Sequence, residues 1–345
     1  ETVYEMRLVS ALEKVFLDER PVYRPECMKL TALKGETVSF QAACTCTSFM
    51  KNRVKVRIES PISDRIHVRK VENVPAGRVC GPIVDDNYLK TESGLYPDLL
   101  RELVDGEVDI FPQKWRSIWI DIEVTEDVKA GLYPVTVILE KDGETLARAA
   151  TEVTIYDAVL PKQKMMHTEW FYLDCLADYY HVPVFSEEHW EIITNYLKEY
   201  VKRGCNMILT PLFTPALDTA VGIERTTTQL LDVRVENGNY SFGFDRVKKW
   251  IDLCQSCGIE YFEICHLFSQ WGAKYAPKVM AVVNGKEEQI FGWHTPAVGE
   301  YTKFLHSLLP QLTEKLREWG IDKVTYFHLS DEPREEHLES YRAAK

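Results

Sequence analysis

Two rhythms divide the chain. From Glu1 to about Tyr156, apolar and polar residues alternate with a period of two in short runs, among them "ETVSFQAACTCT", "RVKVRIES", "IHVRKVENV", "WRSIWIDIEV" and "GLYPVTVILEKDGETLARAATEVTIY". Runs of this kind, broken by Gly, Pro and Asp-Gly, predict an antiparallel β-sandwich. Asp142-Gly143 supplies the positive φ that a tight hairpin requires. Residues 79–100, "VCGPIVDDNYLKTESGLYPDLL", break the alternation and read as a long polar loop.

The rhythm changes at "YDAVLPKQK", which places a boundary near Pro161 and predicts two domains, 1–160 and 161–345. Beyond it, strand-like and helical segments alternate. "KMMHTEWFYLD" reads as a strand. "SEEHWEIITNYLKEYVKRG" reads as a helix with Ser186 as N-cap and Gly204 as its stop. The strand "NMILTPL", a hairpin turning at Asn237-Gly238, the helix "FDRVKKWIDLCQSCG" and the strand "IEYFEICHLF" follow. A second hairpin, "MAVVNGKEEQI", leads to a helix expected to start with Thr295 as cap and Pro296 at its first position, and to stop at Gly320. The fourth strand is "KVTYFHLS".

This cadence predicts parallel βαβ units. Long excursions after strands two and three, with polar and aromatic residues gathered at strand ends, favour a TIM-type (β/α)8 barrel over an open doubly wound sheet. No G-x-G-x-x-G or P-loop follows any strand. A barrel needs about eight units in roughly 250 residues, and about four are legible before Lys345. The expectation is therefore the first half of a barrel, completed by a longer chain or by a partner, because half a barrel exposes apolar strand edges.

Composition narrows the partners. A formal charge of -12 opposes binding to nucleic acid, and no apolar run reaches the roughly 20 residues of a membrane span. The 9 cysteines lack framework spacing, which favours free thiols and a reducing, cytoplasmic compartment. A chain opening on Glu1 leaves a removed leader, and so secretion, open. The Cys254-x-x-Cys257 pair precedes Gly258 at a helix end, where the dipole disfavours a thiolate, so neither redox chemistry nor zinc is expected there.

Residues at the ends of the expected strands are His167, Glu169, Trp170 and Tyr172, then His266 and Trp271, then His328, Asp331 and Glu332. Acids beside flat rings suit a sugar, whose C–H faces pack on indole while its hydroxyls bond to charged groups. No metal or other cofactor is expected, since no H-x-x-x-H or close ligand triad occurs. Glycoside hydrolysis ordinarily uses two carboxyl groups about 5 Å or more apart, a separation that neighbours in sequence hardly reach. Vicinal acids can instead serve a sugar that supplies its own nucleophile. The 2-acetamido oxygen attacks the anomeric carbon, one carboxylate holds the amide N–H, and the other protonates the departing oxygen. In extended backbone such neighbours face opposite sides. The bland alternative is a solvated turn or helix start, which "SDEPREEH" would also make.

A sandwich of this length followed by a strand–helix series whose fourth strand ends "HLSDEP" resembles glycoside hydrolase family 123 and its DUF4091 relatives. The resemblance implies a β-N-acetylgalactosaminidase-like enzyme with a catalytic (β/α)8 barrel. It also implies Glu332 as general acid/base and Asp331 as the group orienting the acetamide. His167, Trp170, Tyr172, His266, Trp271 and His328 are the expected contacts to a glycan substrate. Two other readings stay open: a retaining glycosidase whose nucleophile lies beyond this chain, and a carbohydrate-binding protein without catalysis.

Overall fold

The computed structural model describes residues 2–48, 53–79, 87–217, 219–220, 222–223, 225–270 and 272–345. The chain separates into two compact units, Glu1–Lys162 and Gln163–Lys345.

The first unit contains β1 (Tyr4–Ser10), β2 (Lys29–Lys34), β3 (Glu36–Cys46), β4 (Arg53–Glu59), β5 (Ile66–Ala76), β6 (Gly94–Glu102), β7 (Glu107–Asp109), β8 (Arg116–Val124), β9 (Gly131–Lys141) and β10 (Glu144–Val159). They form two five-stranded sheets, ordered β1-β3-β8-β5-β6 and β2-β10-β9-β4-β7. One core joins the sheets: Ile118, Ile120, Ile122 and Val124 on alternate positions of β8 meet Val135, Val137 and Leu139 of β9. That alternation is what the sequence displayed, and burying β-branched residues on one face fixes the register. At the β9–β10 turn, Asp142 and Gly143 take φ of 50° and 83°, the left-handed pair of a two-residue hairpin.

Two features differ from the expectation. β10 pairs with β2 in parallel, so the unit is not purely antiparallel. The expected long loop at 79–100 ends earlier, because Gly94–Glu102 is β6, paired with β5 at a sheet edge. Its exposed Leu95 and Leu99 blur the alternation that identifies half-buried strands. Residues 80–86 of that stretch lie outside the described residues.

The second unit runs α1 (Leu173–Tyr180), α2 (Glu187–Lys202), β11 (Met207–Thr210), β12 (Asp232–Glu236), β13 (Asn239–Gly243), α3 (Asp245–Cys257), β14 (Tyr261–Ile264), β15 (Val279–Val283), β16 (Lys286–Phe291), α4 (Glu300–Glu318), β17 (Thr325–Phe327) and α5 (Leu338–Ala344). Its central sheet is parallel, β11-β14-β17. Thr168 adds a single parallel bridge to Met207 on the β11 side, so the neighbour order follows the chain order. "KMMHTEWFYLD" is thus one bridged position rather than a strand, and its end, Leu173 onward, is helical. Leu173, Leu176 and Ala177 are buried there.

The two hairpins, separate in sequence, join through a parallel β12–β15 pair into one sheet, β13-β12-β15-β16. An isolated hairpin is marginal in water, whereas several strands with one apolar face are stable. Here Tyr240, Phe242 and Phe291 pack around Phe304 of α4. Ser186 caps α2, its hydroxyl accepting from the His189 N–H. Thr295 does not cap α4, which begins at Glu300. Instead, Thr302 Oγ1 accepts from the Gly299 N–H, and Thr295 accepts the Gly292 N–H in the preceding loop. On β17, the last strand of the parallel sheet, Tyr326 and Phe327 are exposed.

Candidate active site

The candidate site gathers at the C-terminal ends of the parallel strands. Contacts sort the first segment: Thr168 and Trp170 meet Glu263 and His266, while His167 and Glu169 meet each other. Thr168 Oγ1 donates to Oε1 of Glu263 in the middle of β14. The other Glu263 oxygen lies 2.6 Å from Nε2 of His328, just beyond β17. His328 in turn stacks on His266, with centroids 4.4 Å apart and planes at 20°. Trp170 meets both imidazoles edge-on, at 5.4 Å from His266 and 6.5 Å from His328.

The electrostatics follow from burial and pairing. Glu263 is 2 % exposed. Burial would raise its pKa, but the bonds from His328 and Thr168, with the nearby imidazoles, outweigh it and hold the carboxyl below its ordinary range. His266 is pushed down to about 4, chiefly by burial and then by His328, with Glu263 opposing. The site thus presents an ionised carboxylate, a neutral imidazole and an indole at neutral pH.

The acid pair stands just downstream. Leu267 N and Phe268 N donate to the carbonyls of His328 and Leu329, each at 3.0 Å. Ser330 Oγ donates to Ser269 O at 2.6 Å. The segment after β17 is thereby fastened to the one after β14. Asp331 is half-buried and Glu332 exposed. Because β17 ends at Phe327, the acids occupy a bend rather than extended backbone, and Glu332 takes φ of 47°. The expectation from strand alternation therefore does not apply to them; a left-handed residue redirects the chain between the two side chains. Outliers of this kind concentrate at functional sites.

The remaining candidates separate from this cluster. His167 has other partners, with Nε2 3.3 Å from Glu169 Oε1 and Nδ1 3.9 Å from the Cys205 sulfur. Tyr172 carries the Arg225 guanidinium 4.0 Å above its ring, and Arg225 pairs with Asp174 at 2.5 Å. Trp271 lies outside the described residues; its neighbour Gly272 sits against His337, beyond the acid pair. The structure thus brings together Trp170, His266 and His328, with Asp331 and Glu332 on the adjoining segment, and leaves His167 and Tyr172 apart. Cys254 is buried in α3 and its thiol is raised well above the ordinary value.

Sequence reading missed Glu263, Thr168, Arg225 and Asp174. For Glu263 a signal existed: a lone acid within the apolar run "YFEIC" demands a buried partner.

A parallel sheet with carboxylate, imidazole and indole groups at its C-terminal end has the chemistry that suits a carbohydrate ligand. Comparison with known proteins makes the class specific. The model of the glycoside hydrolase 123 catalytic domain matches residues 170–345, and that of the glycoside hydrolase 123 N-terminal domain matches 16–141. The chain belongs to glycoside hydrolase family 123.

A family 123 glycoside hydrolase from Clostridium perfringens, described in terms of glycolipid glycan hydrolysis, superposes with TM-score 0.72 at 17% identity. The match covers 99% of this chain and 60% of that one, so the chain spans about three-fifths of its relative's length. The N-terminal domain of PorA (11% identity, 45% of this chain and 99% of that one) and a β-glucosidase from Listeria innocua (10% identity, 46% and 17%) both give TM-score 0.22, which carries no argument. No curated protein matches the sequence.

Proposed function

We propose that this chain carries the catalytic acids of a retaining β-N-acetylhexosaminidase. Its substrates are 2-acetamido-2-deoxy-β-hexosides, β-N-acetylgalactosaminides foremost, with a glycolipid-borne glycan as the class suggested by the C. perfringens relative. In this reading 1–160 is the accessory sandwich and 161–345 the first half of a catalytic (β/α)8 barrel. The parallel neighbour order and the exposed outer strand β17 support that assignment.

Glu332, protonated, gives its proton to the glycosidic oxygen; the C1–O bond breaks, the aglycone leaves as its alcohol, and the substrate's acetamido oxygen bonds to the anomeric carbon, forming an oxazolinium ion. The Asp331 carboxylate accepts the acetamide N–H and stabilises the positive charge. Glu332, now ionised, takes a proton from the water that opens the ring, and the sugar leaves with its configuration retained. One observation carries the reading: the acid-bearing segment is tied to the segment after β14, on the same end of the sheet as Trp170, His266 and His328.

Assay of the full-length protein on aryl and alkyl 2-acetamido-galactosides tests it. Glu332→Gln should lower kcat on poor leaving groups by about 10²–10⁴ and on activated aryl glycosides far less; equal losses remove Glu332 as the acid. Asp331→Asn should erase the preference for a 2-acetamido over a 2-hydroxy substrate. A wild type that cleaves both equally fast points to a nucleophile beyond this chain, and binding without cleavage points to a non-catalytic role.

A further inference from the structure

Glu263 stands where a carboxylate is costly. It lies between Phe262 and Ile264, both essentially unexposed, in the middle strand of the parallel sheet. Burying an ion there costs several kcal/mol unless every lone pair is engaged. Both of its oxygens are engaged, by groups from the two outer positions of the sheet: Thr168 on one side and His328 on the other. Thr168 and Glu263, on positions with one strand between them, meet as inward side chains of alternate strands do when a parallel sheet curves, and His328 reaches over from the neighbouring strand. An apolar side chain would fill the space without the desolvation cost, so the carboxylate needs a purpose beyond packing.

His328 points to that purpose. An ionised carboxylate is an acceptor only, so the ring nitrogen 2.6 Å from it, Nε2, must carry a proton. The second nitrogen, Nδ1, has no hydrogen-bond partner among the described residues. His328 keeps 34% of its side chain exposed, against 2% for Glu263. His266 stacks beneath, fixing the plane of the ring, and Trp170 closes one edge. A histidine whose tautomer is set by a buried acid and whose other nitrogen stays available is the arrangement by which a second residue orients a ligand-binding one.

We propose that Glu263 is a positioning residue for the sugar: whenever His328 carries a single proton, Glu263 holds it as the Nε2–H tautomer, so that Nδ1 accepts a hydrogen bond from a hydroxyl of the bound hexosamine. Thr168 belongs to the same device, since its hydroxyl holds the carboxylate in the rotamer that faces His328. This deepens the proposed function and rests on it for the identity of the ligand. The geometry of the Glu263–His328 pair stands independently of turnover.

The experiment has two arms on the full-length protein. In the first, histidine is labelled with ¹⁵N and the His328 resonances, assigned through His328→Ala, are read above pH 7. Nε2–H is expected; the Nδ1–H tautomer overturns the proposal whether or not the protein hydrolyses anything. In the second, Glu263→Gln, His328→Ala and the double variant are compared for binding of free N-acetylgalactosamine and for kcat and KM. Glu263→Gln should weaken sugar binding and raise KM about tenfold, with kcat changed less. In the His328→Ala background the same substitution should add less than about twofold, because the two act as one unit. Additive losses, or a fall in kcat at unchanged KM, overturn it. A fold loss in Glu263→Gln would leave the tautomer arm decisive.

Discussion

Two buried titratable side chains, Glu263 and His266, make the site sensitive to acid, and the direction is the same for both. His266 is held near 4 against about 6.5 in an unfolded chain. The stability tied to its neutral form is complete above about pH 6.5 and is lost as pH falls through about 4. Glu263 is held below the roughly 4.3 of a free glutamate. Its contribution is complete above that value and is lost as pH falls through its lower folded one. Thermal unfolding followed from about pH 7 to about pH 3 should therefore show two losses. Glu263→Gln should shrink the lower loss and deepen the upper, since Glu263 opposes the lowering of His266, and an unchanged profile in that variant would assign the acid lability elsewhere. At this scale residue type and strand-end position singled out Trp170, His266 and His328, which the structure brings together, and named Asp331 and Glu332, which lie on the adjoining segment. The sequence did not reveal Glu263's role, because the meaning of a charge inside an apolar strand depends on partners about 95 and 65 residues away.

At the scale of elements, local signals worked wherever their physics is local. Ser186 caps α2, and Asn237-Gly238 and Asn284-Gly285 turn their hairpins with positive φ at both residues. Pro296 failed to start α4, because Thr295 and Ala297 are engaged with the 274–276 loop and with Gly292. Gly272 couples elements to the site: at φ 105° it approaches His337 so closely that an added Cβ would lie 2.9 Å from the ring. His337 follows the acid pair in sequence and is buried. Gly272→Ala should lower both Tm and turnover by displacing that segment, whereas Ser186→Ala, about 1 kcal/mol by loss of a cap, should lower Tm alone. Calorimetry with an aryl-glycoside assay separates the two; full activity in a folded Gly272→Ala would show that His337 does not position the acids.

On the scale of the whole molecule, each unit owns a core. That of Glu1–Lys162 spans both of its sheets, and that of Gln163–Lys345 centres on Trp250, Phe213 and Phe304, all fully buried. The first unit expressed alone should therefore unfold cooperatively, as a domain with its own core does. A broad, non-cooperative transition by circular dichroism would show that it depends on the second. Among the described residues no helix is long and apolar enough to cross a membrane.

By itself the sequence determined the two rhythms, the turns and the starts of α2 and α3, because periodicity, capping and positive φ act over a few residues. Only the tertiary structure decided that two distant hairpins share a sheet, that β2 joins β10 in parallel, and that Asp331 and Glu332 sit in a bend. It alone decided that His167 turns away from the indole–imidazole cluster while Glu263 turns in. These outcomes depend on which strands become neighbours and on which side chains can satisfy one another when buried, and no window of sequence contains both partners.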